Sequence, residues 1–196
     1  MTIDLSLPSS VLRAAARASN AVAAAERELA RRVAEGDPDA VALLYDRYAP
    51  SLHRLLVALL GSAADAEDAL QEVFVRLVSG RIGQVRDLRA YLFTAARHEA
   101  YSTLRRRRRE ESLKATAVEA HAASVAVAPD GLDWMGLLQR LPVEQREVIA
   151  LKVFEDLTFA EIAALVKASP NTVASRYRYG IEQLRAWCAE EEDNGT

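Results

Sequence analysis

The chain has 196 residues, 51% of them hydrophobic, with a formal net charge of −3 and one cysteine. That length suits two small domains or one larger one, and the lone Cys188 excludes an intrachain disulfide. Eight glycines and six prolines favour helices over a turn-rich β protein. Residues 1–36 are an Ala-rich extension in which Ser9 or Ser10 can cap a helix running through Glu26, Leu29 and Val33. Met1 to Asn20 lacks a continuous apolar segment and carries Arg13 and Arg17, so it does not read as a secretory signal. No stretch approaches the roughly 20 apolar residues of a membrane span, and the expected compartment is the cytoplasm.

Gly36-Asp37-Pro38 ends the extension and opens a first domain, residues 37–111. Asp39 to Tyr48 and Ser51 to Leu60 read as helix, stopping at Gly61, and Ser62 with Asp65 offers the next cap. The following helix sets Leu70, Val73, Phe74 and Leu77 on one face, with Asp68, Gln71, Glu72 and Val75 opposite. Ser79 to Arg89 reads as a loop with Gly80 and Gly83.

The last helix of this domain starts near Leu88 and runs into the uninterrupted basic stretch Arg105 to Arg109. Leu92, Ala96, Ala100 and Leu104 form its inward stripe; Phe93, Arg97, Tyr101 and Arg105 form the adjacent one, flanked by His98 and Ser102. Aromatic rings alternating with guanidiniums suit unpaired DNA, because rings stack on bases while arginines meet phosphates. For Phe93 an ordinary core position is the better reading. Five like charges in a row repel one another, and such a run has an anionic partner or stays mobile. Acidic residues gather elsewhere, at Asp65, Glu67, Asp68 and Glu72 and again at Glu190 to Asp193, so the net charge hides a segregation.

Residues 112–131, rich in Ala, Val and Ser and closed by Pro129-Asp130-Gly131, form a linker. Residues 132–187 form a second domain, followed by an acidic tail, 188–196. Leu141-Pro142 opens a helix carrying Val148, Ile149 and Leu151. Thr158 and Glu161 have the spacing of a capping box before Ile162, Ala163 and Leu165. Val166-Lys167-Ala168 makes a short turn, Ser169 is an N-cap, and Pro170 suits the first helical position. Val173, Tyr177, Ile181 and Leu184 then point inward, while Thr172, Ser175, Arg176, Tyr179 and Gln183 project outward. Helix, tight turn, helix is the geometry that lays a second helix into a DNA major groove.

The segment LPVEQREVIALKVFEDLTFAEIAALVKASPNTVASRYRYGIEQLR resembles region 4 of bacterial sigma factors, most of all the extracytoplasmic-function group. DAEDALQEVFVRL with LRAYLFTAARHEAYSTLRRRRR resembles sigma region 2, and the two together cover roughly residues 37 to 187. The resemblance implies an all-α chain of two small helical domains that binds core RNA polymerase and directs promoter recognition and opening. It implies that Asp68, Gln71 and Glu72 dock the polymerase. Ser169, Asn171, Thr172, Ser175, Arg176 and Arg178 would engage the −35 duplex, and Arg97, His98, Tyr101, Ser102, Arg105 and Arg106 the −10 strand. An anti-sigma factor is a common partner in the family. The chain departs from the family's frequent residues at Tyr91, His98, Ser102, Lys167, Asn171, Ala174 and Tyr179.

The pairing of domains has a physical rationale. One helix-turn-helix makes few base contacts, each worth about 1–3 kcal/mol. A tether of about 20 residues holds a second reading domain at an effective concentration of order mM. Rival readings are a helix-turn-helix regulator acting without polymerase, and a scaffold that kept the fold and lost DNA binding. Catalysis is not indicated: His53, His98 and His121 lack metal spacing, and no phosphate loop or nucleophile elbow is present. No metal and no cofactor are expected.

Overall fold

Asp37 starts the central helix of the protein. Its carboxylate accepts from the N–H groups of Asp39 (3.0 Å) and Ala40 (3.3 Å), and Pro38 occupies the first helical turn. The computed structural model describes residues 9–79, 85, 87–114 and 134–194. Among these residues the elements are α1 (Ser9–Ala34), α2 (Pro38–Leu60), α3 (Ala63–Ser79), α4 (Leu88–Lys114), α5 (Trp134–Arg140), α6 (Val143–Glu155), α7 (Phe159–Val166) and α8 (Pro170–Asn194). The architecture is all-α, as composition and periodicity predict. The expected loop glycines Gly80 and Gly83, and the linker from residue 115 onward, lie outside the described residues.

α2 runs unbroken through Pro50, which has no N–H to give back to the preceding turn. Its buried face carries Leu44, Leu52, Leu55, Leu56 and Leu59. Against it pack Leu70, Val73, Phe74 and Leu77 of α3, then Leu88, Leu92, Phe93, Ala96 and Ala100 of α4. Phe93 is a core residue, 1% exposed. The Ala-rich α1 docks on this group through Leu29, Ala30 and Val33, and Tyr48 donates from its hydroxyl to Glu26 Oε1 at 2.8 Å.

The second group is α6, α7 and α8. Thr158 Oγ1 accepts from the Glu161 N–H while the Glu161 carboxylate accepts from the Thr158 N–H at 2.7 Å, a complete capping box. Lys167 ends α7 at φ +55°, a conformation usually given to glycine. Ser169 then caps α8, its Oγ accepting from the Thr172 N–H at 3.1 Å. At Gly180, α8 crosses α6 so closely that a Cβ would lie 2.6 Å from Ile149 Cδ1.

The two groups touch. Val148, Ala150 and Leu151 of α6 belong to the same apolar cluster as α2 and α4, while Leu137, Leu138, Leu141, Ile149 and Leu184 form a smaller one. The C-terminus of α2 joins them. A helix leaves its last four carbonyls without internal donors. Here Val57 O accepts from Gly61 N–H (2.8 Å), and Ala58 O from Gln139 Nε2 (2.8 Å). Leu59 O accepts from Arg146 (2.8 Å), and Leu60 O from Arg107 (2.9 Å). Gly61 must be glycine-like: φ is +69° and the Gln139 side chain lies against its α-carbon.

Thr158→Ala is expected to lower stability by about 1 kcal/mol in urea unfolding. The Thr158 hydroxyl and N–H hold the Glu161 carboxyl below its usual range. The box therefore contributes fully above the ordinary glutamate pKa and is lost as pH falls through the lowered value. Thr158→Ala should flatten that acid-side dependence.

Candidate nucleic-acid interface

α8 presents the first surface. The Ser169 cap and Pro170 fix its start, leaving Ser169, Asn171, Thr172 and Arg178 exposed and Ser175 and Arg176 half-buried. Val173 and Leu184 are buried beneath them. The Arg178 guanidinium lies over the exposed Tyr179 ring, 5.0 Å from its centroid. Hydrogen-bonding side chains at the N-terminal end of a helix, backed by a buried apolar stripe, form a rigid reading edge.

α4 presents the second. His98, Ser102, Arg105 and Arg106 are exposed. Arg97 and Tyr101 are not free: Arg97 Nε donates to Glu147 Oε1 at 2.6 Å and Tyr101 OH to Glu147 Oε2 at 3.0 Å. The Arg97 guanidinium also covers the Tyr101 ring, 4.8 Å from its centroid. Burial, and then the Glu147 charge, push the Tyr101 hydroxyl well above its ordinary pKa. The arginine run divides. Arg107 turns inward to the Leu60 carbonyl and to Asp65, while Arg105, Arg106, Arg108 and Arg109 stay exposed.

α3 presents the third. Asp68 and Gln71 are exposed; Glu72 is half-buried and accepts from Arg76 Nε at 2.8 Å. Gln71 lines a groove between α2 and α3 with Tyr45, Asp46, His53, Glu67 and Leu70. Exposed Leu43, Tyr45, Val75 and Val78 supply apolar area on the same two helices.

Two charged residues of α6 matter to which sequence reasoning gave no role. Arg146 is buried and donates to the carbonyls of Leu59 (2.8 Å), Gln139 (2.9 Å) and Leu141 (2.9 Å), besides the Gln139 side chain. Desolvation lowers its pKa, and the carbonyl end of α2 supplies compensating negative charge. Glu147 is fully buried; burial raises its pKa against the opposing pull of Arg97, Tyr101 and, through space, Arg176. Both residues stand next to Val148 and Ile149, so periodicity alone reads them as the solvated edge of an amphipathic helix. Glu155 makes a further bridge, paired with Arg54 at 2.9 Å and, through its carbonyl, with Arg89 at 3.0 Å.

Among the described residues no group of three or more His, Cys, Asp or Glu could hold a metal ion, and no helix is long and apolar enough to cross a membrane.

Comparison with known proteins bears on the regulator reading. Residues 44–110 match the model of sigma-70 region 2, and residues 132–184 that of sigma-70 region 4. The chain is 31% identical over 169 residues to the RNA polymerase sigma factor CarQ of Myxococcus xanthus, covering 82% of this chain and 96% of that protein. It is 30% identical over 171 residues to the ECF RNA polymerase sigma factor SigK of a Mycobacterium species, covering 80% and 87%. The chain belongs to the ECF RNA polymerase sigma factors.

The fold of this sigma factor agrees with solved structures. The sigma factor RpoE of Bartonella quintana, in complex with the anti-sigma factor NepR, superposes with a TM-score of 0.60 at 26% identity, over 74% of this chain and 94% of that one. CnrH, in complex with the cytosolic domain of CnrY, shares the fold with a TM-score of 0.63 at 22% identity, over 84% and 97%. As a sigma factor the chain directs promoter recognition for RNA polymerase, which sets aside the regulator that acts without polymerase.

Arg146→Met keeps the apolar stem and removes the guanidinium donors from the buried carbonyls of Leu59 and Leu141 and the part-buried one of Gln139. It is expected to lower stability by about 3 kcal/mol in urea unfolding. Arg108→Met, at an exposed position of the same charge type, should stay within about 0.5 kcal/mol.

Proposed function

We propose that this sigma factor divides its work among three surfaces. Asp68, Gln71 and Glu72 of α3 dock core polymerase, with the adjoining α2–α3 groove and its exposed apolar rim as the contact area. Ser169, Asn171, Thr172, Ser175, Arg176 and Arg178 of α8 engage the −35 duplex. Arg97, His98, Tyr101, Ser102, Arg105 and Arg106 of α4 engage the −10 strand.

The observation that carries this reading is the outward face of the Ser169-capped α8, where Asn171, Thr172 and Arg178 stand exposed over a buried Val173. Asparagine and arginine are the side chains that pair bidentately with adenine and guanine edges.

The domain division we propose is residues 1–36 as extension, 37–111 as the region 2-like unit, 112–131 as linker, 132–187 as the region 4-like unit and 188–196 as acidic tail. The chain is a specificity subunit with no catalysis of its own, acting in the cytoplasm on promoter DNA together with core polymerase. RpoE of Bartonella quintana is held by the anti-sigma factor NepR, which supports an anti-sigma partner for this chain as well.

Run-off transcription with core polymerase over a promoter library tests the whole assignment, and initiation is expected only when the chain is added. Arg176→Ala should weaken promoter binding of the holoenzyme by about 1–3 kcal/mol and relax specificity within the −35 element. Arg105→Ala should weaken binding across sequences and flatten the salt dependence by about one unit, without changing sequence preference.

A further inference from the structure

We propose that Tyr179 is a positioning residue for the −35 contact: its ring carries the Arg178 guanidinium onto the outward face of α8, where it meets a backbone phosphate of the duplex. The inference rests on the −35 role given above to Arg178.

Successive side chains of an α-helix stand about 100° apart. Tyr177 marks the inward side of α8: it packs against both apolar clusters, and its ring centroid lies 5.5 Å from that of Phe159. Tyr179, two residues on, therefore points away from the core, and it is 51% exposed. It stands about 20° from the line of Thr172, with Ser175 and Arg176 to either side of that line. Arg178 leaves the helix on its flank, about 100° from Tyr179. Its guanidinium nevertheless lies over the Tyr179 ring, 5.0 Å from the centroid, and both residues are exposed. A positive charge rooted beside the reading face is thus brought onto it. Among the described residues no carboxylate pairs with Arg178, which leaves its charge for an outside anion.

Position along the helix favours a phosphate over a base edge. Tyr179 lies seven residues beyond Thr172, about 10 Å along the axis. The major groove is about 12 Å wide. With Asn171 and Thr172 at the bases, a side chain that far back reaches the strand at the groove edge, where phosphates stand. A guanidinium over a ring interacts through its face, and its in-plane N–H groups remain for phosphate oxygens. A free arginine loses rotamer freedom when it binds; one already held on a ring loses less. Such a contact contributes affinity and leaves sequence preference to the tip of α8.

The test uses the full chain as holoenzyme with core polymerase. The probe is a fluorescent duplex promoter that the wild-type holoenzyme transcribes from the run-off library, bound over a series of salt concentrations. Arg178→Met is expected to weaken binding about tenfold and to lower the salt slope by about one unit. Tyr179→Leu keeps apolar bulk and helix propensity, and should weaken binding about threefold, the size of an exposed cation–π contact. Tyr179→Phe keeps the ring and should bind as wild type. In the Arg178→Met background Tyr179→Leu should cause no further loss, because a ring that acts only through Arg178 has nothing left to position. Full binding by Tyr179→Leu overturns the proposal. So does the same threefold loss with and without Arg178, or Tyr179→Phe as weak as Tyr179→Leu, since the ring or its hydroxyl is then a contact in its own right. Altered base preference in Arg178→Met across the library overturns the phosphate assignment. Arg178→Met with unchanged affinity and unchanged slope removes the −35 role from Arg178 itself, and the proposal with it.

Discussion

The carbonyls at the end of α2, left without donors inside their own helix, organise this protein. A helix terminus with unsatisfied acceptors must find donors, and these come from three different elements: Gln139 on α5, Arg146 on α6 and Arg107 on α4. Because α5 and α6 belong to the C-terminal half and α4 to the N-terminal half, satisfying one helix end locks the halves at a fixed angle. Hydrogen bonds supply direction where the shared Leu and Val packing cannot. The apolar cluster through Val148, Ala150 and Leu151 brings α6 close, and the carbonyls determine which part of it lands on α2.

The same chemistry serves folding and recognition. Arginine suits phosphates and guanine edges, and it suits helix C-termini for the same reason: a planar fork of donors carrying positive charge. In this chain Arg146 and Arg107 are committed to carbonyls, Arg97 to a carboxylate, and Arg105, Arg106, Arg108 and Arg109 to solvent. A basic run in a sequence therefore overstates the charge a polyanion meets. Electrostatic steering comes from the subset left outward, and the overall negative charge resides on other faces.

Much of the fold is legible from local signals. Gly61, Thr158 with Glu161, and Ser169-Pro170 each mark a helix boundary by a physical requirement confined to a few residues, and each boundary falls where those residues ask. Inward stripes such as Leu70, Val73, Phe74 and Leu77 follow from a period of 3.6. The contact between the two halves is not legible in this way. It depends on Arg146 and Glu147, separated from their partners on α2 and α4 by tens of residues, and charged side chains flanking an apolar stripe ordinarily face water. The α8 surface could be listed from the sequence because a cap and a stripe define its outward face. The engagement of Arg97 and Tyr101 could not, since it requires knowing which helix lies opposite.

At Gly180 the crossing of α8 over α6 has no room for a methyl group beside Ile149. The residue is about two turns along from Asn171 and Thr172, and the lever between them is a stiff rod. A larger side chain there must displace the Ile149 side chain or move the rod, and any angular error at the pivot grows with distance toward the fingertips. Where the rod moves, the damage surfaces as blurred discrimination among promoters, although the altered position never meets a base.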